Sequence, residues 1–381
     1  MTNKTNAVIA GYARSPFTFA LKGGLAKVRP DDMAQQVVKA LIERTGVDGS
    51  HVEDLILGCA FPEGEQGLNA ARLIGFLAEL PKSTAAVTVN RFCGSSMQAI
   101  HMAAGAIALG AGEVFICAGV ESMTRVPIMG FNPLPHPGLY ESYPQAYMPM
   151  GETAENIAVK YGISRARQEA FALASHVKAA AASKLGNFKA EIVSIKQGKT
   201  MVDADGCIRP GTSLVALADL KPAFDESGTV TAGTSSPLTD GAAAVLVVSE
   251  DYAKRGGLDP LARVKSVAVA GCLPEIMGIG PVAATKKALE RAGLDIAQLD
   301  LIELNEAFAS QALAYIEELQ LDGEKINLDG GAIALGHPLG ATGARITGKA
   351  AALLQRQGGK YALASMCIGG GQGIATILEA M

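Results

Sequence analysis

Two stretches, MAQQVVKALIERTGVDGSHVEDLILGCAF (Met33–Phe61) and PVAATKKALERAGLDIAQLDLIELNEAF (Pro281–Phe308), read alike, and their likeness sets the architecture. Each is an amphipathic helix closed by a glycine, a short linker with an acidic residue, and a short apolar strand. The likeness continues downstream. After Val89 and again after Ile326 come a glycine-rich turn, an alanine-rich helix and an apolar strand, VFICAG (Val114–Gly119) and YALASM (Tyr361–Met366). Lys39 and Lys287 stand 248 residues apart and Val114 and Tyr361 stand 247 apart, a near-constant offset that two unrelated amphipathic helices would not keep. The spacing therefore predicts two copies of one α/β unit, with helices packed on sheets and functional turns at strand ends.

Between the copies the pattern changes. Residues 120–229 hold the proline-rich stretch PIMGFNPLPHPGLYESYPQAYMPMG, a helical run from Gly151 to Gly186, and a loop rich in Asp and Gly. The prolines argue against regular helix between Pro127 and Pro149. This is read as an insertion that covers a site, after which TVTAGTSSPLTDGAAAVLVVS (Thr229–Ser249) returns to buried strand.

Composition sets the outer limits. A chain of 381 residues, 49% of them hydrophobic, is long enough for two or three structural units with a large core. Its net charge of -4 has no basic block, which argues against nucleic acid or an anionic membrane surface as partner. No apolar run approaches the ~20 residues needed to span a bilayer, the start MTNKTNAVIAGYARSP lacks the apolar region of a secretory signal, and ILEAM carries no peroxisomal tripeptide. Six irregularly spaced cysteines fit a reducing compartment, so a cytoplasmic location is expected.

Three glycine-rich turns each offer a reactive side chain: Cys93 in VNRFCGSSMQAIH, His337 in GGAIALGHPLGATGAR, and Cys367 in CIGGGQG. Cys93 follows an apolar strand and opens a helix. There the unpaired N–H groups favour thiolate and can bring a thiol below ~7.5, and the strand-turn-helix order suggests a nucleophile elbow. Cys59 and Cys117, in apolar strands, read as packing. His101 lies ~12 Å up the helix from Cys93 and roughly 80° around it, so it is no base for that sulfur. His51, His136 and His176 read as surface residues. Gly336, Gly340 and Gly343 lack the acidic residue that a dinucleotide fingerprint needs ~20 positions on.

The three turns together with NEAFA (Asn305–Ala309) resemble the thiolase family, in this order and over essentially the whole chain. The resemblance implies two βαβαβαββ halves stacked as five layers, αβαβα, with a loop domain inserted in the first half. On this sequence the first half would be residues 1–119 with 230–252, the inserted loop domain 120–229, and the second half 253–381. It implies Cys93 as the acylated nucleophile, His337 as its base and Cys367 as the acid/base at C2 of the acetyl group. Asn305 would hold a water beside His337 for the thioester oxygen, and the N–H groups of Cys93 and Gly369 would bind the acyl carbonyl oxygen. Coenzyme A would enter as a substrate, with no bound cofactor and no metal, against Arg209, Ser236, Ala307, Phe308 and Met150. Met148 and Met150 could also wall the acyl chain.

TAGTSSPLTDGAAA and GCLPEIMGIGP look like the degradative branch of that family, which cleaves 3-oxoacyl-CoA thioesters in fatty acid β-oxidation. Pro149 stands where the biosynthetic, acetoacetyl-forming branch usually has histidine. That branch is the nearest alternative. A decarboxylating synthase of the same fold would normally replace Cys367, and a catalytically silent acyl-CoA binder would not need all three reactive groups. The resemblance also implies a homodimer or homotetramer, with a hydratase/dehydrogenase partner subunit possible.

Overall fold

The computed structural model describes residues 5–381. Residues 1–4, which begin both the predicted first half and the stretch read as no secretory signal, lie outside the described residues.

The first half runs β1 (Ala7–Arg14), β2 (Thr18–Phe19), α1 (Pro30–Thr45), β3 (Asp54–Gly58), α2 (Ala70–Leu77), β4 (Ala85–Val89), α3 (Ser95–Leu109) and β5 (Val114–Ser122). Helix α1 forms for local reasons. Pro30 starts it, Asp31 and Asp32 sit in its first turn, Arg44 lies in its last, and Gly46 closes it in a left-handed conformation with its N–H on the Ile42 carbonyl. Its buried face is Met33, Ala34, Val37, Val38 and Leu41.

The insertion contains α4 (Pro137–Ser142), α5 (Met150–Lys160), α6 (Arg165–Leu185), the small hairpin β6 (Ile195–Gln197) and β7 (Thr200–Val202), and α7 (Leu214–Ala218). The chain re-enters the sheet through β8 (Thr239–Ser249), followed by α8 (Glu250–Gly256). The second half is β9 (Ala262–Gly271), α9 (Gly280–Ala292), β10 (Leu301–Leu304), α10 (Ala309–Leu319), α11 (Ala332–Leu335), α12 (Leu339–Gln357), β11 (Tyr361–Ile368) and β12 (Gln372–Glu379).

The duplication is visible in the pairing. In the first half the strand order is β4-β3-β5-β8-β1, and in the second β10-β11-β12-β9 repeats its last four positions. Parallel and antiparallel neighbours match as well: β3–β5 and β10–β11 are parallel, while β5–β8 and β11–β12 are antiparallel. The counterpart of β4 is reduced to one bridge between Ile302 and Ile326. The two sheets touch through β1 and β9 at Val8↔Arg263 and Ile9↔Ala262.

Three cores follow from this arrangement. One packs α1 and α2 on the outer face of the first sheet, another packs α9 and α10 on the outer face of the second, and the largest surrounds α3 and α12 between the sheets. The result is the αβαβα stack. Helix α3 corrects one reading of the sequence: Phe92–Leu109 is long and apolar enough by composition to cross a membrane, but the helix lies in the middle layer.

Two boundaries also differ from the sequence reading. The strand predicted from Thr229 begins only at Thr239, because hydroxyls upstream bond locally instead of leaving the backbone to a ladder. Thr234 Oγ1 accepts the Thr231 N–H at 2.9 Å and Ser235 Oγ donates to the Thr231 carbonyl at 2.8 Å. The proline-rich stretch does contain a short helix, α4, since Pro137 occupies its first turn, where its missing N–H costs nothing.

Candidate active site

Cys93 is placed by a turn that spans both halves. Beyond β4, Asn90 Oδ1 accepts the Phe92 N–H at 2.8 Å, and Ser95 Oγ accepts the Arg91 N–H at 2.9 Å while donating to the Phe92 carbonyl at 2.6 Å. The strained residue is Phe92, at φ 42°, and not the cysteine that an elbow reading would place there. Arg91 reaches across to Gln372 at 2.7 Å, and a Cβ on Gly94 would lie 2.7 Å from Ile368 Cδ1. The turn thus rests on the β11–β12 hairpin.

The sulfur itself is enclosed, its residue only 2% exposed. Burial pushes the Cys93 thiol up to about 12, against the lowering effect of two N–H groups that point at it, those of Gly369 and Cys93. This corrects the expectation of a resting thiolate. Desolvation outweighs the helix terminus, so the group rests as a thiol.

His337 is held by a second turn. Gly336 takes φ 106°, open to glycine alone without strain, and the His337 N–H bonds Thr239 Oγ1 at 3.2 Å. Around the ring, Nδ1 lies 2.6 Å from Thr342 Oγ1 and Nε2 lies 3.3 Å from Asn305 Nδ2. Burial, with Arg345 nearby, lowers the imidazole to about 3, so it is neutral at rest. A neutral base with a buried lone pair suits proton abstraction from a buried thiol.

Cys367 ends the second set. It pairs with Gly373 across the β11–β12 hairpin, whose turn uses Gly370 and Gly371 at φ 78° and 83°. Burial, and after it the neighbouring Cys93, push this thiol well above its ordinary value. The two sulfurs are neighbours although 274 positions separate them in sequence. Cys367 packs in one cluster with Ala154, Val230, Met277, Ala307 and Phe308. Met150 borders both this cluster and the one holding Cys93, and its Sδ would touch a Cβ on Gly369 at 3.8 Å. Met150 therefore borders the turn that carries Gly369.

Two buried carboxylates, Glu121 and the glutamate of NEAFA, Glu306, hold these turns together. Glu121 accepts the N–H groups of Ala60 at 2.8 Å and Gly340 at 2.9 Å, tying the end of β3 to the start of α12. Glu306 accepts from Ser175 Oγ at 2.7 Å, Asn327 Nδ2 at 2.8 Å and the Ile333 N–H at 3.1 Å, joining the insertion to the His337 loop. Each stands as an acid at the end of an otherwise apolar strand, VFICAGVES and LIELNEAF, a position that does not by itself tell what it binds.

The remaining predicted residues lie in two places, Ala307 and Phe308 buried in the Cys367 cluster with Ser236 bonded to Ala307, and Arg209 exposed beside Phe19. Ser236 donates its N–H to the Ala307 carbonyl at 2.9 Å, Ser235 bridges Phe308, and Phe224 meets the Phe308 ring edge-on. Arg209 is exposed, its guanidinium 5.1 Å from the Phe19 ring centre, and Phe19 pairs with Thr239. Its N–H bonds His176 Nδ1 at 3.2 Å, and His176 is buried, contrary to its surface reading. His101 is turned away, 2.8 Å from Thr376 Oγ1.

None of Cys93, His337 or Cys367 lines the large surface clefts. One, of about 610 Å³, is bounded by Tyr12, Glu191 and Lys349, and another, of about 590 Å³, by His51 and Tyr252. Chemistry outranks volume here, because all three reactive side chains are buried and the two sulfurs are neighbours in a closed interior. Among the described residues no group of His, Cys, Asp and Glu could hold a metal ion.

Family models for the thiolase N-terminal domain and the thiolase C-terminal domain match residues 7–251 and 258–380. A 3-ketoacyl-CoA thiolase of Bacillus subtilis (strain 168) is 48% identical over 386 residues, covering 98% of this chain and 99% of that protein. The crystal structure of human mitochondrial 3-ketoacyl-CoA thiolase in complex with CoA superposes with TM-score 0.92 at 40% identity, covering 99% of this chain and 98% of that one. The Bacillus anthracis acetyl-CoA acetyltransferase structure superposes equally well, TM-score 0.92 at 40% identity and 99% of both chains.

Proposed function

The chain belongs to the thiolase family, and from that premise we propose how its own residues carry out the reaction of a 3-ketoacyl-CoA thiolase, the cleavage of a 3-oxoacyl-CoA by coenzyme A. The observation that carries the reading is the convergence at one sulfur. An N–H from each half points at Cys93 Sγ, and Cys367 from the second half stands beside it.

As Cys93 Sγ attacks C3 of the substrate, His337 Nε2 takes its proton and gives up the amide hydrogen bond from Asn305. The C2–C3 bond breaks, its electron pair passes into the enolate of acetyl-CoA, and the Cys367 thiol protonates C2. The thiol of a second coenzyme A then gives its proton to the Cys367 thiolate and attacks the acyl group. Cys93 leaves and recovers its proton from His337, which closes a ping-pong cycle. The N–H groups of Gly369 and Cys93 bind the acyl carbonyl oxygen, and a water held by Asn305, with the protonated His337 ring, binds the thioester oxygen. Each such donor is worth about 3 kcal/mol at the transition state.

Arg209, Ser236, Ala307 and Phe308 are assigned to coenzyme A, supported for the last three by their packing and bonding around Cys367 and for Arg209 by its exposed positive charge. Fatty acid degradation is the role, supported by chain-wide identity to 3-ketoacyl-CoA thiolases and by Pro149. The biosynthetic reading shares every reactive residue, and the likeness to an acetyl-CoA acetyltransferase supports it equally on fold. Self-association as a homodimer or homotetramer is supported by β4, an edge strand with no outer partner among the described residues. A hydratase/dehydrogenase subunit and a reducing, cytoplasmic setting belong to the same reading, the latter supported by six free cysteines.

The test is thiolysis of 3-oxoacyl-CoA substrates of rising chain length by the purified protein. Acetyl-CoA and a shortened acyl-CoA are expected, with kcat/KM rising beyond the four-carbon substrate. Turnover confined to four carbons would assign the biosynthetic branch, and no turnover at any length would refute both.

A further inference from the structure

Among the described residues no carboxylate bonds the far side of the His337 imidazole. Its Nδ1 meets only Thr342 Oγ1, at 2.6 Å, and Thr342 Oγ1 also lies 3.1 Å from the Pro338 carbonyl oxygen. Both are buried in the first turn of α12, where Thr342 is fully enclosed. We propose that Thr342 is the positioning residue of His337, fixing the tautomer that carries hydrogen on Nδ1 and leaves Nε2 bare. The inference rests on His337 being the base for Cys93.

Proton counting supports it. A threonine hydroxyl has one hydrogen and a carbonyl oxygen can only accept, so the contact to Pro338 consumes that hydrogen. What Oγ1 then offers Nδ1 is a lone pair, and Nδ1 must donate. At the other end the Asn305 amide donates to Nε2 across 3.3 Å. All three contacts are satisfied in this arrangement. The opposite tautomer would turn the hydroxyl toward Nδ1, abandon the Pro338 contact and require the Asn305 amide to reverse, with one hydrogen bond fewer in a dry interior.

The choice of a hydroxyl has a chemical consequence. A carboxylate at Nδ1 would stabilise imidazolium and draw the Cys93 proton across before substrate arrives. A neutral acceptor orients the ring without adding charge, so thiol and imidazole both stay neutral until a carbonyl is in place to receive the sulfur's electrons. That matches a nucleophile which burial keeps protonated.

The experiment combines ¹⁵N-imidazole NMR of the full-length protein, with His337 assigned by loss of its signals in His337→Asn, and kinetics of Thr342→Val and Thr342→Ser. Expected are a pyrrole-type Nδ1 and a pyridine-type Nε2 for His337 in the unsubstituted protein. Thr342→Val should lose about 10- to 100-fold in kcat with KM for coenzyme A changed less than about threefold, and its His337 signals should shift toward mixed tautomers. Thr342→Ser should restore both within about threefold. A protonated Nε2 in the unsubstituted protein overturns the proposal whether or not any variant folds. So does undiminished kcat in Thr342→Val, or equal loss in Thr342→Ser, which would assign the effect to the methyl group. Undiminished acylation in His337→Asn would instead refute the base reading, leaving the NMR result to stand alone.

Discussion

The β5-to-β8 and β11-to-β12 connections occupy the same place in the two halves, yet one runs from Met123 to Leu238 and the other is the turn Gly369–Gly371. The long connection became the insertion that brings Met150 and Ser236 to the site. The short one became a hairpin tip whose Gly369 N–H points at Cys93. The middle layer shows the same division of labour. Cys93 precedes α3 and His337 precedes α12, the equivalent helices of the two copies, so duplication placed at matching positions the two residues proposed as nucleophile and base. A repeated scaffold therefore fixes where side chains emerge, while the connections decide what they do.

The division between the halves is probed most severely at the sulfurs. Cys93→Ala should abolish acyl transfer, with thiolysis falling by at least about 10⁴-fold, read as acetyl-CoA release from a 3-oxoacyl-CoA. Retained turnover would move the nucleophile to the other half.

The contrast between buried and reactive is resolved further by pH. Because burial holds the Cys93 thiol near 12, alkylation of the free enzyme by iodoacetamide should rise about tenfold per pH unit from 7 to 10 without levelling. The sign follows from the thiolate being the reacting form, whose fraction grows with pH until the pKa is passed. A plateau near pH 7 would reveal a resting thiolate, and the helix terminus would have outweighed desolvation.

The seam between the halves gives a smaller effect. A Cβ on Gly343 would sit 2.3 Å from the Met97 backbone nitrogen, where α12 crosses α3, so Gly343→Ala should destabilise by about 1–3 kcal/mol in urea unfolding. Gly105 is the control in the same layer. It lies within α3, and a Cβ added there would meet nothing within 4 Å, so Gly105→Ala should stabilise by about 0.5–1 kcal/mol. Equal effects at the two sites would mean that the helices do not meet as described.

Much of this was legible in the sequence because repetition and glycine leave local marks. The helix-glycine-strand series of Met33–Phe61 and Pro281–Phe308 was readable from side-chain periodicity, and Cys93, His337 and Cys367 stood out as candidates by their glycine-flanked turns. What stayed hidden depends on the fold as a whole. Glu121 and Glu306 look like ordinary acids until strands from distant parts of the chain bury them against backbone N–H groups. The protonated state of Cys93 depends on how much water the second half excludes, which no window around residue 93 reports. The late start of β8 came from hydroxyls of Thr231, Thr234 and Ser235 choosing local partners over a ladder that residue alternation had favoured.

The convergence of the halves on one carbonyl can be followed through exchange of the C2 hydrogens of acetyl-CoA in D₂O, combined with mass-spectrometric location of the acetyl group, in the unsubstituted enzyme and in Cys367→Ala. The acetyl group should appear on Cys93 in both proteins, and deuterium should enter C2 only when Cys367 is present. Exchange at full rate in Cys367→Ala, or acetyl found on Cys367 in place of Cys93, would contradict the assignment of one reaction to the two halves together.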